Sequence, residues 1–485
     1  MILTLLPLLV PLATALLCAL ARSMPRLQRG ISAGGALVLL LCALALLHQV
    51  LTHGTMTLIA GNWPLPFGIV FAADLFGAAL VLLAALMLCV ALLWQASDAD
   101  AAPASPGLYP LMHGLVAGSA AAFLTADLFN LYIWFEVTLI CALGLLVQGG
   151  ALRQLDAALK YFVLNLFGTL LLLAAVALLH GATGQLNFTA LGEAAARLDP
   201  AVRLLLFGLL LLALLIKSAA FPLFAWLPAS YHTLPAPVLA LFSALLTKIG
   251  ICVLLRSFTG LFAPTPVLLL TLLGWIALFS MLTGVLGAAY HWDLRRILAF
   301  HTISQIGYIL LAIALASPAG NAAAIFFALH HSVVKAGLFL VAGLICRQAG
   351  HYDLRRIGGL YAARPGLAVL FLLLALALVG IPPFTGFWGK YLIVRESFVQ
   401  GEYLWGATAL TVGFLTLYSM AKIWLQAFWK PHPDKNWQPS VVPRTTPAYV
   451  GLGLLVLVTL WAGLLPERLL LFVTSAAAAL PGGGP

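Results

Sequence analysis

FGLLLLALLIKSAAFPLFAWLPASYHTLPAPVLALFSALLTKIGICVLLR, residues 207–256, decides the fold. It consists of two apolar runs, each with one lysine inside it, joined by a segment that Pro222, Pro228, Pro235 and Pro237 interrupt. A lysine at the centre of a bilayer costs about 2.5–3.5 kcal/mol on insertion scales. Lys217 and Lys248 are therefore the first candidate functional residues. Proline removes a backbone donor and breaks a helix, and broken backbone at membrane depth is tolerated only against protein or a wet cavity. The stretch predicts two spans beside a polar interior.

Composition extends this reading to the whole chain. Hydrophobic residues make up 63% of the 485 residues and charged residues only 8%, which is far from a soluble domain and predicts a polytopic membrane protein. At roughly 20 residues per span there is room for about fourteen helices and none for a sizeable aqueous domain. The expected spans are 2–20, 31–51, 71–94, 108–126, 128–149, 158–180, 201–221, 236–256, 265–288, 296–315, 320–346, 366–391, 404–429 and 447–470. The first of them has its arginines after it rather than before it, the reverse of a secretory signal peptide, and is expected to stay as helix 1. Six cysteines fall within or at the ends of apolar runs with no CxxC pair, as small packing residues do.

The net charge of +10 is spread over loops rather than gathered on one face, which fits membrane topology and not nucleic-acid binding. With the amino terminus outside, one side receives Arg22, Arg26, Arg29, Arg153, Arg295, Arg296, Arg347, Arg355, Arg356, Arg364, Lys430, Lys435 and Arg444. The other keeps Arg197, Arg203, Arg256, Arg395 and Arg468. The positive-inside rule then puts both termini outside.

Taken in order, helices 1 to 3 carry little chemistry, and Asp74 reads as a solvated charge at the end of helix 3. Glu136 is the acidic residue well inside the membrane, and a lysine from another span, Lys217 first, is the expected counter-charge. Lys160 and Lys422 sit at predicted span ends, where long side chains snorkel to the interface. Tyr161, Asn165 and Thr169 form one polar stripe on helix 6. His301, Ser304, Gln305 and Tyr308 form another on helix 10. Such a stripe either joins helices by hydrogen bonds or walls a wetted path. Helix 11 adds His330, His331 and Lys335. His331 and Lys335, four apart on one face, are not easily both charged in a low dielectric, so a proton tends to shift between them. Adjacent histidines diverge by about 100° around a helix, which argues against one metal ion held by both. Helix 12 contains GIPPFTGFWGK, residues 380–390, where Pro382 and Pro383 break the helix ahead of Lys390.

Breaks in helices 7 and 12 occupy corresponding places in two five-helix units, the pattern of an inverted-repeat transporter. The fold expected is thus an all-α polytopic membrane protein: helices 1–3 in residues 1–94, repeats over 108–256 and 265–429, and helix 14 with its tail over 447–485.

Glu136, Lys217, Lys248, His331 with Lys335, and Lys390 form a chain of ionisable groups across such a bundle. The arrangement resembles the antiporter-like subunits shared by respiratory complex I, membrane-bound hydrogenases and the multisubunit Mrp (Pha) cation/proton antiporters. The resemblance covers essentially the whole chain. Its most specific part is KSAAFPLFAWLPASYHTLPAPV at 217–238 with ALLTKIG at 244–250, most similar to the D-type branch of the Mrp (Pha) family. Complex I homologues more often carry Asp-Ala-His after the Trp-Leu-Pro, where this chain has Ala229, Ser230 and Tyr231. The length points the same way, since the A-type branch is much longer and has a carboxy-terminal extension. By this resemblance Glu136 matches the helix-5 glutamate of the family, Lys217 and Lys248 its helix-7 and helix-8 lysines, and Lys390 its helix-12 lysine. His301, His331 and Lys335 match more loosely.

The resemblance implies a proton-translocating subunit of a Na⁺ or K⁺/H⁺ antiporter in a bacterial cytoplasmic membrane. It implies other subunits and membrane lipids as partners and a secondary transporter rather than an enzyme, with no cofactor and no metal. The alternative is a proton-pumping membrane subunit of a complex I-like or hydrogenase-type oxidoreductase, in which electron transfer drives the same relay.

Overall fold

The computed structural model describes residues 2–61, 63, 68–97, 105–263, 265–439 and 445–480. Arg444 and most of the 95–107 connector lie outside the described residues. Helices α1 (Leu6–Leu20) and α2 (Pro25–His53) open the chain. A hairpin follows, β1 (Met56–Ala60) against β2 (Ile69–Ala73), antiparallel with Met56 opposite Ala73 and Ala60 opposite Ile69. The span expected over 71–94 therefore starts later. Its first three residues belong to the strand, and α3 begins at Leu75 and runs to Ser97.

The first set of helices comprises α4 (Leu108–Leu124), α5 (Leu128–Val147), α6 (Leu152–Thr183), α7 (Phe188–Ala195), α8 (Pro200–Ser218), α9 (Trp226–Tyr231) and α10 (Ala236–Arg256). The second comprises α11 (Val267–Tyr290), α12 (Leu294–Ala314), α13 (Pro318–Ala349), α14 (Leu360–Ala363), α15 (Pro365–Val379), α16 (Thr385–Val399) and α17 (Tyr403–Ile423). Two more, α18 (Thr446–Leu464) and α19 (Pro466–Ala478), end the chain. Among the described residues eleven helices are long and apolar enough to cross a membrane. Three shorter apolar helices, Leu6–Leu20, Leu108–Leu124 and Pro365–Val379, accompany them.

The two sets match element by element. Both α6 and α13 have 32 residues and end on a left-handed glycine, Gly184 at φ 69° and Gly350 at φ 78°, the conformation that only glycine adopts without a Cβ clash. Asp127 caps α5 and Asp293 caps α12, each accepting from backbone N–H groups of the first turn. These caps also bridge to the loop after the third helix, Asp127 to Asn187 and Asp293 to Asp353. Both α10 and α17 run on into a π-helical segment, Ser257–Leu261 and Trp424–Trp429. Between α8 and α9, and between α15 and α16, the helix stops where the prolines stand. The interruption lies at 219–225 in one set and at 380–384 in the other, so the expected span 201–221 is a single helix that ends at Ser218, and the expected span 366–391 falls on two shorter helices separated by open backbone.

Burial ranks these helices. Every residue of α10 is buried, as are nearly all of α12 and α13. These three carry Lys248, His301, His331 and Lys335, so the ionisable groups lie in the most enclosed part of the bundle. By contrast α2 presents Leu37, Leu41, Leu44 and Leu51 outward, as a lipid-facing helix does.

Candidate functional site

The site builds from the breaks. Where a helix stops, the carbonyls of its last turn lose their donors. At the first break the indole of Trp226 donates to the Ile216 carbonyl at 2.9 Å. At the second, Lys390 Nζ donates to the Val379 carbonyl at 2.8 Å, with its ammonium 4.9 Å from the centre of the Tyr308 ring. One break is thus closed by a group that cannot ionise and the other by one that can.

Lys217 stands one residue before the end of α8. Its Nζ donates to the Asn165 carbonyl at 3.0 Å and to Thr169 Oγ1 at 2.5 Å, both on α6, and lies 5.2 Å from the Phe135 ring centre. The polar stripe of helix 6 therefore serves this lysine. Beside it is a cavity of about 20 Å³ bounded by Thr138, Tyr161, Asn165, Lys217 and Trp226, enough for a single water molecule. The expected Glu136–Lys217 pair is not a contact. Glu136 is half-buried on α5 and makes no ion pair with Lys217 among the described residues.

Lys248 Nζ reaches the Ser243 carbonyl at 2.5 Å, and Lys335 Nζ the Leu298 carbonyl at 2.5 Å. His331, fully buried, has neither ring nitrogen hydrogen-bonded, and its charged neighbours are Lys248, Lys335 and His330. His330 takes another direction, its Nδ1 2.7 Å from Thr385 Oγ1 on α16, with Lys390 nearby. The two histidines thus serve different helices, and among the described residues no three metal-ligating side chains come together. His301 Nε2 pairs with Ser419 Oγ at 2.9 Å, and Lys335 and Lys390 are the charges nearest it. Neighbouring charges link Glu136 with Lys217, Lys248 with His331 and Lys335, and Lys390 with His301 and His330.

Half of the unpartnered buried polar atoms among the described residues belong to these groups or their neighbours. Ser218 Oγ, Thr247 Oγ1, His301 Nδ1, Ser304 Oγ, both Gln305 side-chain polar atoms, His330 Nε2 and both His331 nitrogens are buried without a hydrogen-bond partner. Buried polar groups are almost always satisfied, by protein or by ordered water. Ordered water would satisfy such atoms. Ser218 and Thr247 carry no signal in the sequence pattern, yet each adjoins one of the two lysines. A Cβ on Gly250 would stand 2.4 Å from Ser218 Oγ, so α8 and α10 touch there.

Three other expectations change. Asp74 is not solvated: it is buried, and Arg256 donates to its Oδ2 from Nη2 at 2.8 Å and from Nε at 3.2 Å. Lys422 does not reach for solvent but donates to the Ala289 and His291 carbonyls at 2.8 and 2.6 Å, closing the end of α11. Helix 2, expected to carry little chemistry, places Ser32 Oγ 3.0 Å from Nε2 of His113, which is buried on α4. Lys160 does stay at the surface, paired with Asp156 at 2.6 Å.

Comparison with known proteins accords with this geometry. The family profile described as the transmembrane region of NADH:quinone oxidoreductase and Mrp antiporters matches residues 125–416, more than half of the chain. The chain belongs to that family. Among curated relatives, the D-type subunit of the Na⁺/H⁺ antiporter of Alkalihalophilus pseudofirmus is 40% identical over 428 residues, covering 88% of this chain and 87% of the relative. That of Bacillus subtilis is 35% identical over 435 residues, covering 89% and 88%. Among solved structures, a chain of the Mrp complex from a Dietzia species superposes with a TM-score of 0.90 at 30% identity over 99% of this chain and 98% of that one. A chain of an archaeal membrane-bound sulfane sulfur reductase gives 0.91 at 26%, over 99% and 98%. This member of the NADH:quinone oxidoreductase/Mrp antiporter family is thus a mostly helical polytopic membrane protein with a buried row of lysines and histidines.

Proposed function

We propose that this chain is the proton-translocating subunit of a multisubunit Na⁺ or K⁺/H⁺ antiporter in a bacterial cytoplasmic membrane, assembled with other subunits of an Mrp-type complex. One observation carries the reading. Lys217, Lys248, Lys335 and Lys390 are all buried, and among the described residues every hydrogen bond that their ammonium groups make goes to a carbonyl or a hydroxyl, never to a carboxylate. A lysine held by a carboxylate keeps its proton, whereas one buried against neutral acceptors gives it up when a like charge arrives. Glu136 sets the charge of Lys217 from a distance, Lys248 passes it to the His331 and Lys335 pair, and His301 and His330 lead on to Lys390. Water at the unpartnered hydroxyls and imidazoles bridges the gaps. Proton flow along this row is coupled to cation exit elsewhere in the assembly.

In this reading the fourteen apolar helices all span, and residues 108–256 and 265–429 are two inverted five-helix repeats. Their matching caps, helix lengths and breaks support it. The arginine-rich loops face the cytoplasm and both termini face outward. A role in an electron-transfer complex ranks second: the superpositions of 0.90 and 0.91 do not separate the two, but identity does, at 30% against 26%.

The test uses everted vesicles from an antiporter-deficient host carrying the full set of subunits, with the pH gradient followed by a fluorescent weak base. Addition of NaCl or KCl should dissipate the gradient in wild type and not in Lys390→Ala. No response to either salt despite confirmed assembly would overturn the antiport reading.

A further inference from the structure

Helices α5 and α6 align with α12 and α13 residue for residue. One constant spacing separates Asp127 from Asp293, Leu152 from Pro318, Thr183 from Ala349 and Gly184 from Gly350. Helix α8 aligns with α15 by its end, since Pro222 and Pro383 are each the fourth residue after the last helical one, Ser218 or Val379. Lys217 then corresponds to Leu378, each next to last in its helix. By the first register Phe135 corresponds to His301, Thr138 to Ser304, Leu139 to Gln305 and Asn165 to His331. The four first-set residues bound the cavity of about 20 Å³ beside Lys217. There the polar ones are satisfied, Asn165 donating to the Tyr161 carbonyl and Thr138 to that of Trp134. Their counterparts carry six buried atoms without a hydrogen-bond partner among the described residues: His301 Nδ1, Ser304 Oγ, both polar atoms of Gln305 and both ring nitrogens of His331.

We infer that the second set holds a buried water site at the place that the Lys217 ammonium takes in the first, and that Gln305 positions this water between His301 and His331. Charge decides against a metal cation. The lysine and its neighbouring acid are replaced together, because Leu378 stands for Lys217 and Thr302 for Glu136. The charged groups that remain near His301, Lys335 and Lys390, are both lysines, which disfavour Na⁺ or K⁺ beside them. Hydrogen bonding decides against an anion. The Gln305 amide offers one acceptor atom and one donor atom, and a neutral imidazole does the same, so a halide would answer the donors and leave the acceptors unpaired. Water both donates and accepts. At about three bonds per buried water, the six atoms call for about two molecules. In the relay proposed above, on which this role rests, the site joins Lys335 to Lys390. Neither ammonium is hydrogen-bonded to His301, since Lys335 donates to the Leu298 carbonyl and Lys390 to that of Val379.

The experiment uses the whole complex. A density map sharp enough to show ordered water should place it within hydrogen-bonding distance of Gln305 in wild type and not in Gln305→Leu. That variant introduces the side chain that the first set carries at Leu139, so it should assemble. In the vesicle assay it should slow cation-induced dissipation of the pH gradient by about tenfold, while Gln305→Asn, which keeps a donor and an acceptor, should retain most of the rate. A further variant probes the place itself. Leu378→Lys sets an ammonium among the same polar atoms and should assemble, whereas Leu374→Lys, equally buried on α15 but packed on Gly337, should not. No water beside Gln305 in wild type, an ion in its place, an unaltered rate in Gln305→Leu, or loss of assembly in Leu378→Lys would each overturn the inference. Absence of antiport in wild type would overturn the proposed function instead, because the map and the assembly of Leu378→Lys are read without transport.

Discussion

Lys390 Nζ holds the Val379 carbonyl at 2.8 Å across the interruption between α15 and α16. Val379 is the last residue of α15, and the open backbone that follows leaves its carbonyl without a helical donor. In the proposed function one side chain thereby has two jobs, closing a helix end and carrying an exchangeable proton. Gly380, at φ 89°, makes the contact possible: a Cβ there would stand 2.9 Å from Lys390 Cδ.

The two jobs separate by substitution. Lys390→Arg keeps a donor and a charge but not the exchangeable proton, because arginine does not deprotonate in proteins. It should assemble normally, unfold near the wild-type temperature and show no cation-induced dissipation of the pH gradient. Lys390→Ala should also lose antiport and, with the Val379 carbonyl left unpaired, be about 1–3 kcal/mol less stable. Antiport retained in Lys390→Arg would remove Lys390 from the path.

Ser218 and Thr247 are expected to hold water between Lys217 and Lys248. The double substitution Ser218→Ala with Thr247→Val keeps volume nearly constant while removing both hydroxyls. Antiport rate should fall about tenfold, corresponding to about 1.4 kcal/mol in the barrier, with assembly unchanged. An unaltered rate in the vesicle assay would show that the path between the lysines runs elsewhere.

Glu136 touches no lysine among the described residues, so in the proposed relay its influence on Lys217 is that of a charge and not of a hydrogen bond. Glu136→Gln, which preserves shape, should therefore lose antiport as fully as Glu136→Ala, and Glu136→Asp should retain most of it. If Gln served as well as Glu in the same assay, the role would be one of packing.

Asp74 and Arg256 form a buried pair that ties the start of α3 to the end of α10. Removing one partner of such a pair leaves an uncompensated charge and costs about 3–5 kcal/mol, while apolar residues in place of both are often neutral. Asp74→Leu alone should lower the unfolding temperature of the purified complex, and Asp74→Leu with Arg256→Met should restore most of it. No recovery in the double variant would mean that the pair has a further role, at the cavity of about 510 Å³ that both residues line with Thr125 and Glu193.

His232, in the loop between α9 and α10, gives a pH dependence. Burial, and then the Arg296 guanidinium 3.4 Å from Nε2, hold it below the ordinary imidazole value of 6.5. The folded chain thus binds fewer protons here than the unfolded chain does. Stability from this group is complete above about pH 6.5 and is lost as the pH falls toward the folded value. Thermal unfolding between about pH 7.5 and 5.5, either side of that value, should show a decline that is shallower in His232→Gln. Identical slopes would exclude this residue as the cause.

Much of the architecture was legible because its signals are local. Hydropathy marks a span wherever about twenty apolar residues follow one another, and proline stops a helix whatever packs against it, so the spans and the breaks at Pro222 and Pro383 could be read from residues alone. The positions of Lys217, Lys248, Lys335 and Lys390 were equally plain, since a lysine in an apolar run stands out by its cost.

The partners were not legible, and the reason is geometric. Asp74 and Arg256 are 182 positions apart, and no periodicity connects them. In α10 and α13, apolar almost throughout and enclosed on all sides, the hydrophobic pattern has no polar face, so it carries no information on which way Lys248 or His331 points. Glu136 was an acid inside a span by sequence; only packing left it half-buried and out of contact with Lys217. Sequence alone determined that this chain is a bundle of membrane helices with lysines in its interior, because the bilayer prices each residue by itself. Tertiary structure alone decided which carbonyl, hydroxyl or empty space each lysine meets, because that depends on how one helix approaches another.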